Sequence, residues 1–214
     1  MNITLLTNNK KSWFWEYNEL FAEKLRISGH KVNVISENKE LKEGGDICFF
    51  LACTQLVPEE HLKYHKFNLV IHHSALPKGK GSSPLVWQII EGKNNIVFTL
   101  FEAQKNVDSG NIYIQKELEL EGHELLNEIF YKRCLLEEEM ILEFINNNNQ
   151  IKSFSQKGEE TIYPRRSVAD DELPIDVTIE ELFNRFRIVD NEKWPAFFKM
   201  HGYKYYLKIY KDKM

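Results

Sequence analysis

The stretch Val70-Ile71-His72-His73-Ser74-Ala75-Leu76-Pro77-Lys78-Gly79-Lys80-Gly81 lies about a third of the way along a chain of 214 residues. An apolar run ends on a histidine and passes into a Ser-x-Leu-Pro turn and a Gly-Lys-Gly loop. That order predicts a strand with an imidazole at its carboxyl end, where open α/β sheets place their ligands. A histidine there works as general base or acid near neutral pH. Downstream, Val107-Asp108-Ser109-Gly110-Asn111-Ile112 brings a carboxylate to the start of a later strand, where it could accept a hydrogen bond from the ring. Each piece alone has a plainer reading. A strand-end histidine is often structural, Asp-Ser-Gly is an ordinary turn, and Lys-Gly-Lys-Gly is an ordinary solvated loop. Their joint order points to a site, with the two glycines and Lys78 and Lys80 forming a flexible, cation-flanked loop suited to a phosphate.

Working outward from this stretch, apolar runs at 3–6, 31–35, 46–51 and 69–72 read as strands. Trp13, Phe14, Tyr17, Leu20, Phe21 and Leu25 recur at helical spacing, with Ser12 as N-cap and Gly29 as stop. A short helix follows Pro58. Residues 84–91 form a buried helix, 95–101 and 112–118 two more strands, and 124–145 a long amphipathic helix. Strands apolar on both sides of their alternation call for a sheet covered on both faces. The fold class is therefore α/β: a Rossmann-like, mostly parallel sheet with flanking helices. The polar run at 146–150 marks a linker after a catalytic domain at 1–150. An extension at 151–214 packs on that domain, with a helix at 178–187 capped by Asp176 or Thr178 and a β-hairpin at 196–209. The aromatic hairpin is a candidate dimer contact.

Bulk properties narrow the class. A hydrophobic fraction of 43% suffices for a core, and a net charge of −4 argues against a protein that grips nucleic acid. Three cysteines without a C-x-x-C pair read as reduced thiols of a cytoplasmic protein, neither a disulfide framework nor a metal site. No apolar run reaches the ~20 residues of a membrane span, and no signal-peptide pattern opens the chain.

His72, Ser74, Leu76, Pro77, Gly81, Pro84, Trp87, Gly92, Thr99, Asp108 and Gly110 together match a longer signature. It resembles that of the 10-formyltetrahydrofolate-dependent formyltransferases: Asn-x-His-Pro-Ser-x-Leu-Pro, a Gly-containing loop, Pro-x-x-Trp and a later Asp-x-Gly. The run at 76–88, with 183–191 and 195–198, is most similar to the branch that formylates amino groups on nucleotide-linked sugars for bacterial surface glycans. The resemblance implies His72 and Asp108 as the catalytic pair. It implies a folate slot along Gln55, Leu56, Val57, Asn106 and Val107. It further implies contacts to the acceptor from Ser74, Lys78, Gly79, Lys80, Gly81, Arg187 and Asn191. Other amine acceptors within the resemblance are a glycinamide ribonucleotide and methionyl-tRNA, and a non-catalytic folate or nucleotide module is the alternative outside catalysis.

Two positions depart from the signature. The asparagine that would donate to the developing oxyanion falls on Val70, and losing one such donor costs ~2.7–4 kcal/mol in enzymes built around it. Asn68 shares that face of the strand but sits two residues too far back to substitute simply. The proline position is His73, whose side chain is expected on the opposite face.

Overall fold

The computed structural model describes residues 1–8, 10 and 14–212. In chain order its elements are β1 (Asn2–Leu6), α1 (Phe14–Ile27), β2 (Lys31–Ile35), β3 (Gly45–Phe50), β4 (His65–His72), β5 (Lys80–Gly81) and α2 (Pro84–Ile90). There follow β6 (Asn95–Glu102), β7 (Ile112–Glu119), α3 (Leu126–Asn147), β8 (Ile162–Tyr163), α4 (Ile179–Phe186), β9 (Ala196–Met200) and β10 (Tyr203–Leu207). The expected N-cap Ser12, and Trp13, lie outside the described residues.

The main sheet has six strands in the order β2-β1-β3-β4-β6-β7. β2, β1, β3 and β4 run parallel; β6 pairs antiparallel with β4 and β7 antiparallel with β6, so that only β6 is reversed. Alternation sorts the side chains: Ile3, Leu5, Ile47, Phe49, Leu69, Ile71, Phe98 and Leu100 share one face. There they bury Phe21 and Leu25 of α1, Leu85 and Ile89 of α2, and Ile129, Met140 and Phe144 of α3.

The other face departs from expectation. Leu6, Ile35, Cys48 and Phe50 form a smaller core closed by chain segments around Leu41, Val57 and Leu62, not by an α-helix. Only short 3-10 turns, Asn38–Glu40 and Glu59–Lys63, punctuate those segments. The sheet is thus thick on one side and thin on the other, and β4 delivers His72 to the thin side.

The C-terminal part divides in two. Residues from 165 onward gather Leu173, Leu182, Phe186, Val189 and Ala196 into a core of their own. Thr178 caps α4 by accepting from Glu181 N at 3.2 Å, which settles its N-cap. The β9–β10 hairpin turns at His201 and Gly202, both at positive φ, as a two-residue turn between twisted strands requires. Residues 152–164 behave differently, running back along the catalytic fold: Ile112 pairs with Phe154, and β8 pairs in parallel with β5. Among the described residues no helix is long and apolar enough to cross a membrane.

Candidate active site

Asn68, Val70 and His72 alternate onto the thin face of the sheet. His72 is 8% exposed, and its Nε2 lies 2.9 Å from the Gly79 carbonyl oxygen. A carbonyl only accepts, so Nε2 carries the proton and a neutral ring keeps its lone pair at Nδ1. Nδ1 stands 3.9 Å from Asp108 Oδ1. That is too long for a hydrogen bond, and it leaves two acceptors facing one another across a gap that a group with two hydrogens to donate, such as a primary amine, can bridge.

The 103–111 connection makes this meeting happen. Ala103 N donates to Asn68 O at 2.6 Å as the chain leaves β6, and the loop doubles back over the Val70 face until Asp108 reaches His72. Asp108 adopts φ +54°. Its second oxygen accepts from Gly81 N at 3.1 Å, and Gln156 Nε2 donates to the carbonyls of Asp108 at 3.0 Å and Gly110 at 2.9 Å. Gly110 has no alternative residue here, because a Cβ would sit 1.7 Å from Glu102 O.

The Gly-Lys-Gly loop is fastened, contrary to its reading as flexible. Gly79 N donates to Thr161 Oγ1 at 2.8 Å, Lys80 N to Thr161 O at 2.9 Å and Ser82 N to Tyr163 O at 3.2 Å. A Cβ on Gly81 would come within 2.4 Å of Tyr163 O, so only glycine permits the approach. Lys80 pairs with Glu160 at 2.6 Å, while Lys78 is exposed and makes no ion pair among the described residues. Ser74 is buried, with its carbonyl accepting from Thr99 Oγ1 at 2.7 Å and its hydroxyl without a partner.

Gln55, Leu56 and Val57 lie on a second loop at this end of β3. Asn8 holds it by accepting from Thr54 N at 2.8 Å, and Asn38 Nδ2 donates to Leu56 O at 2.9 Å. Lys105 pairs with Glu59 at 3.1 Å, tying this loop to the one that carries Asn106 and Val107. Val57, Val70 and Ala103 pack against the same small core, and Leu56 and Val107 are exposed at 73% and 55%.

His73 points through the sheet the other way. Its Nε2 meets Glu137 Oε1 at 2.8 Å, and Arg133 Nε donates to the same oxygen at 2.6 Å. Burial, then the Arg133 charge, push the His73 pKa down to about 4. Burial alone would raise the Glu137 carboxyl, but Arg133 and His73 bring it below its ordinary value.

Two expected acceptor contacts stand elsewhere. Arg187 is 0% exposed; its guanidinium is spent on Glu124 O at 3.3 Å, Asn94 Oδ1 at 2.9 Å and Asn184 Oδ1 at 3.2 Å. It is a buried cross-link between α4 and the start of α3, which corrects its reading as a substrate ligand. Asn191 exchanges two hydrogen bonds with the Ile209 backbone, at 2.8 and 2.9 Å, and latches the C-terminal segment. Position 70 is apolar throughout, with Val70 against Leu76, Phe101 and Ile112. Asn68 cannot stand in, since its amide donates to Leu62 O at 2.9 Å and His65 O at 3.2 Å. A separate hollow of about 570 Å³ is lined by Asn2, Lys31, Gly45 and His65, the first residues of β1 to β4, and so lies at the opposite end of the strands.

The formyl transferase family model matches residues 11–145, more than half of the chain, including His72 and Asp108 themselves. The chain belongs to the formyl transferase family. A methionyl-tRNA formyltransferase of Caldicellulosiruptor saccharolyticus is 24% identical over 188 residues, 85% of this chain and 60% of that protein. The chain spans between 51% and 60% of the length of the curated relatives it matches. Among solved structures, a methionyl-tRNA formyltransferase from Clostridium thermocellum superposes with a TM-score of 0.81 at 25% identity, covering 95% of this chain and 90% of that one. A sugar N-formyltransferase from a Shewanella species shares the fold, with a TM-score of 0.73, 15% identity and coverage of 100% and 99%.

Proposed function

We propose that this formyl transferase moves a formyl group from 10-formyltetrahydrofolate to the primary amine of a nucleotide-linked amino-deoxysugar. One observation carries the transfer: a histidine with its lone pair at Nδ1 faces a carboxylate oxygen 3.9 Å away in a face of the sheet that no α-helix covers. The folate donor supplies an activated formyl carbon bonded to a nitrogen that can leave. The residues present suit such a ring system: Val57, Val70 and Ala103 pack against one small apolar core, and the adjoining loops carry the exposed Leu56 and Val107. Gln55 and Asn106 stand beside them, with the backbone of both loops to read an amide edge.

In this reading the acceptor amine enters the gap and donates one N–H toward His72 Nδ1 and another toward Asp108 Oδ1. His72 takes the proton lost as the new carbon–nitrogen bond forms, and returns it to the departing folate nitrogen as the old bond breaks. Asp108 stabilises the cationic ring in between. Holding both reactants against this pair supplies orientation, which accounts for much of the rate in a bimolecular transfer. With Val70 in the asparagine position, the protonated His72 ring itself faces the formyl oxygen. Lys78 is the exposed cation on the acceptor side and suits a phosphate; the amides of 79–81 are already spent on Thr161 and Asp108 and serve to hold the loop.

The choice of a nucleotide-linked sugar rests on the similarity of 76–88 to that branch and on the acidic balance of the chain, −4 at neutral pH. The curated relatives favour methionyl-tRNA as the second reading. Incubation with 10-formyltetrahydrofolate and, in separate arms, a panel of nucleotide-linked amino sugars, a glycinamide ribonucleotide and methionyl-tRNA distinguishes them. A formyl mass increment on a sugar nucleotide is expected. An increment on the tRNA arm alone, or folate binding with no transfer in any arm, overturns the proposal.

A further inference from the structure

Both partners of His72 are held by one stretch of chain that lies beyond the residues matched by the family model. Phe154 exchanges backbone hydrogen bonds of 2.8 and 2.9 Å with Ile112, seating this strap at the start of β7. Gln156 then reaches the Asp108 and Gly110 carbonyls. Five residues on, Thr161 takes Gly79 N through its hydroxyl and Lys80 N through its carbonyl. The far end is anchored on α2, where Pro164 O accepts from Trp87 Nε1 at 2.8 Å and the Tyr163 hydroxyl donates to Glu91 at 2.8 Å. The strap therefore touches the residue on each side of the imidazole, Gly79 at Nε2 and Asp108 at Nδ1.

Asp108 needs such help. A non-glycine residue in the left-handed region is strained and persists where its surroundings over-determine it. Gln156 supplies two of the restraints, and its own Oε1 is buried without a partner among the described residues. A side chain that accepts an unpaired oxygen in order to aim its nitrogen at two carbonyls is serving the loop rather than itself.

We propose that Gln156 and Thr161 are positioning residues of the active site: Gln156 sets Asp108, Thr161 sets Gly79, and together they fix the width of the Nδ1–Oδ1 gap. What passes through the gap rests on the formyl-transfer reading; the bracing is measurable without any substrate. Hydrogen–deuterium exchange on the free wild-type chain, Gln156→Leu and Thr161→Val tests it first. Gln156→Leu is expected to speed exchange across 106–112 and at the Gly81 amide by about tenfold, and Thr161→Val to do so across 79–82, with β1 to β4 unchanged. In turnover, Gln156→Leu is expected to lower kcat by about a hundredfold with KM held within about twofold. Because it acts through Asp108, it should have no further effect on the residual rate of Asp108→Asn.

Unchanged exchange in both loops, faster exchange throughout the sheet, or an equal loss from Gln156→Leu in both backgrounds overturns the assignment. A wild-type chain that transfers no formyl group, while its variants show the local exchange pattern, counts against the proposed function and for the brace.

Discussion

His72 and His73 are adjacent in the chain and opposite in circumstance. His72 ends β4 on the face closed by loops, with one nitrogen on a carbonyl and the other across a gap from Asp108. His73 turns into the face packed by α3, where Glu137 and Arg133 consume it and its ring lies 4.5 Å from that of Phe98. The two-residue period of a strand makes this difference. It also teaches how a site is placed on such a sheet: one face must be thick enough to hold the strand end rigid, and the other thin enough to admit a ligand. His73 lies on the first kind of face, and the proposed role of His72 needs the second.

The largest effect comes from removing the reactive member. His72→Asn and Asp108→Asn should each lower formyl transfer by ~10²–10⁴-fold, the range of a lost general acid–base group, with thermal melting unchanged. Near-native turnover in either variant would reduce His72 to the same structural status as His73. The matching change on the other face should spare chemistry and cost stability. Glu137→Ala takes the carboxylate from both His73 and Arg133, and breaking a buried charged network in this way costs ~3–5 kcal/mol. A urea midpoint that stays put would mean that the packing of α3 alone holds the strand end.

The same contrast can be sharpened with pH. In the folded chain the His73 pKa is about 4, against an ordinary value of 6.5. Between those values the unfolded chain binds the extra proton, so stability is full above pH 6.5 and falls as the pH drops toward 4. The shift is worth on the order of 3 kcal/mol, and the lowered Glu137 carboxyl adds to the loss in the same direction at the acid end. Melting temperatures recorded across that window should decline for the wild-type chain and decline less for His73→Gln. Parallel curves would place the acid sensitivity elsewhere.

What the sequence made legible follows from how local each signal is. The strand at 69–72 and the turn after it are contiguous patterns and stand where those patterns implied; the carboxylate at 108 comes to His72 but at 3.9 Å, without the hydrogen bond expected of it, because the ring meets Gly79 O instead. Strand β4 is longer than its apolar core, because His65 and Asn68 are polar yet paired in the ladder. The helices were expected on both faces, since periodicity reports that a strand is buried and not what buries it. Arg187 was expected at the acceptor only through the family resemblance, and a resemblance carries no information about Glu124, 63 positions away, which makes it a buried cross-link. Gln156 and Thr161 left no signal at all. They sit in a polar stretch without period, and their partners are backbone groups, which have no residue identity to match.

The smallest expected effect is also the one that decides how much His72 does alone. Position 70 lies two residues before it on the same face, and Val70 brings only methyl groups to the place where the family signature has an amide donor. Val70→Asn restores that donor. If the amide and the His72 ring share the charge that develops on the formyl oxygen, turnover should rise by about a hundredfold, the lower end of what one such donor contributes. The substitution has a cost on the opposite side, because the amide would stand among Leu76, Phe101 and Ile112 in the free enzyme. A polar group left unpaired there lowers stability by ~1–3 kcal/mol. Faster turnover in a less stable chain is therefore the signature to look for, with kcat read against the melting temperature. A variant that is destabilised yet no faster would show that the lone imidazole already meets the charge, and that the thin face needs a single polar side chain from β4.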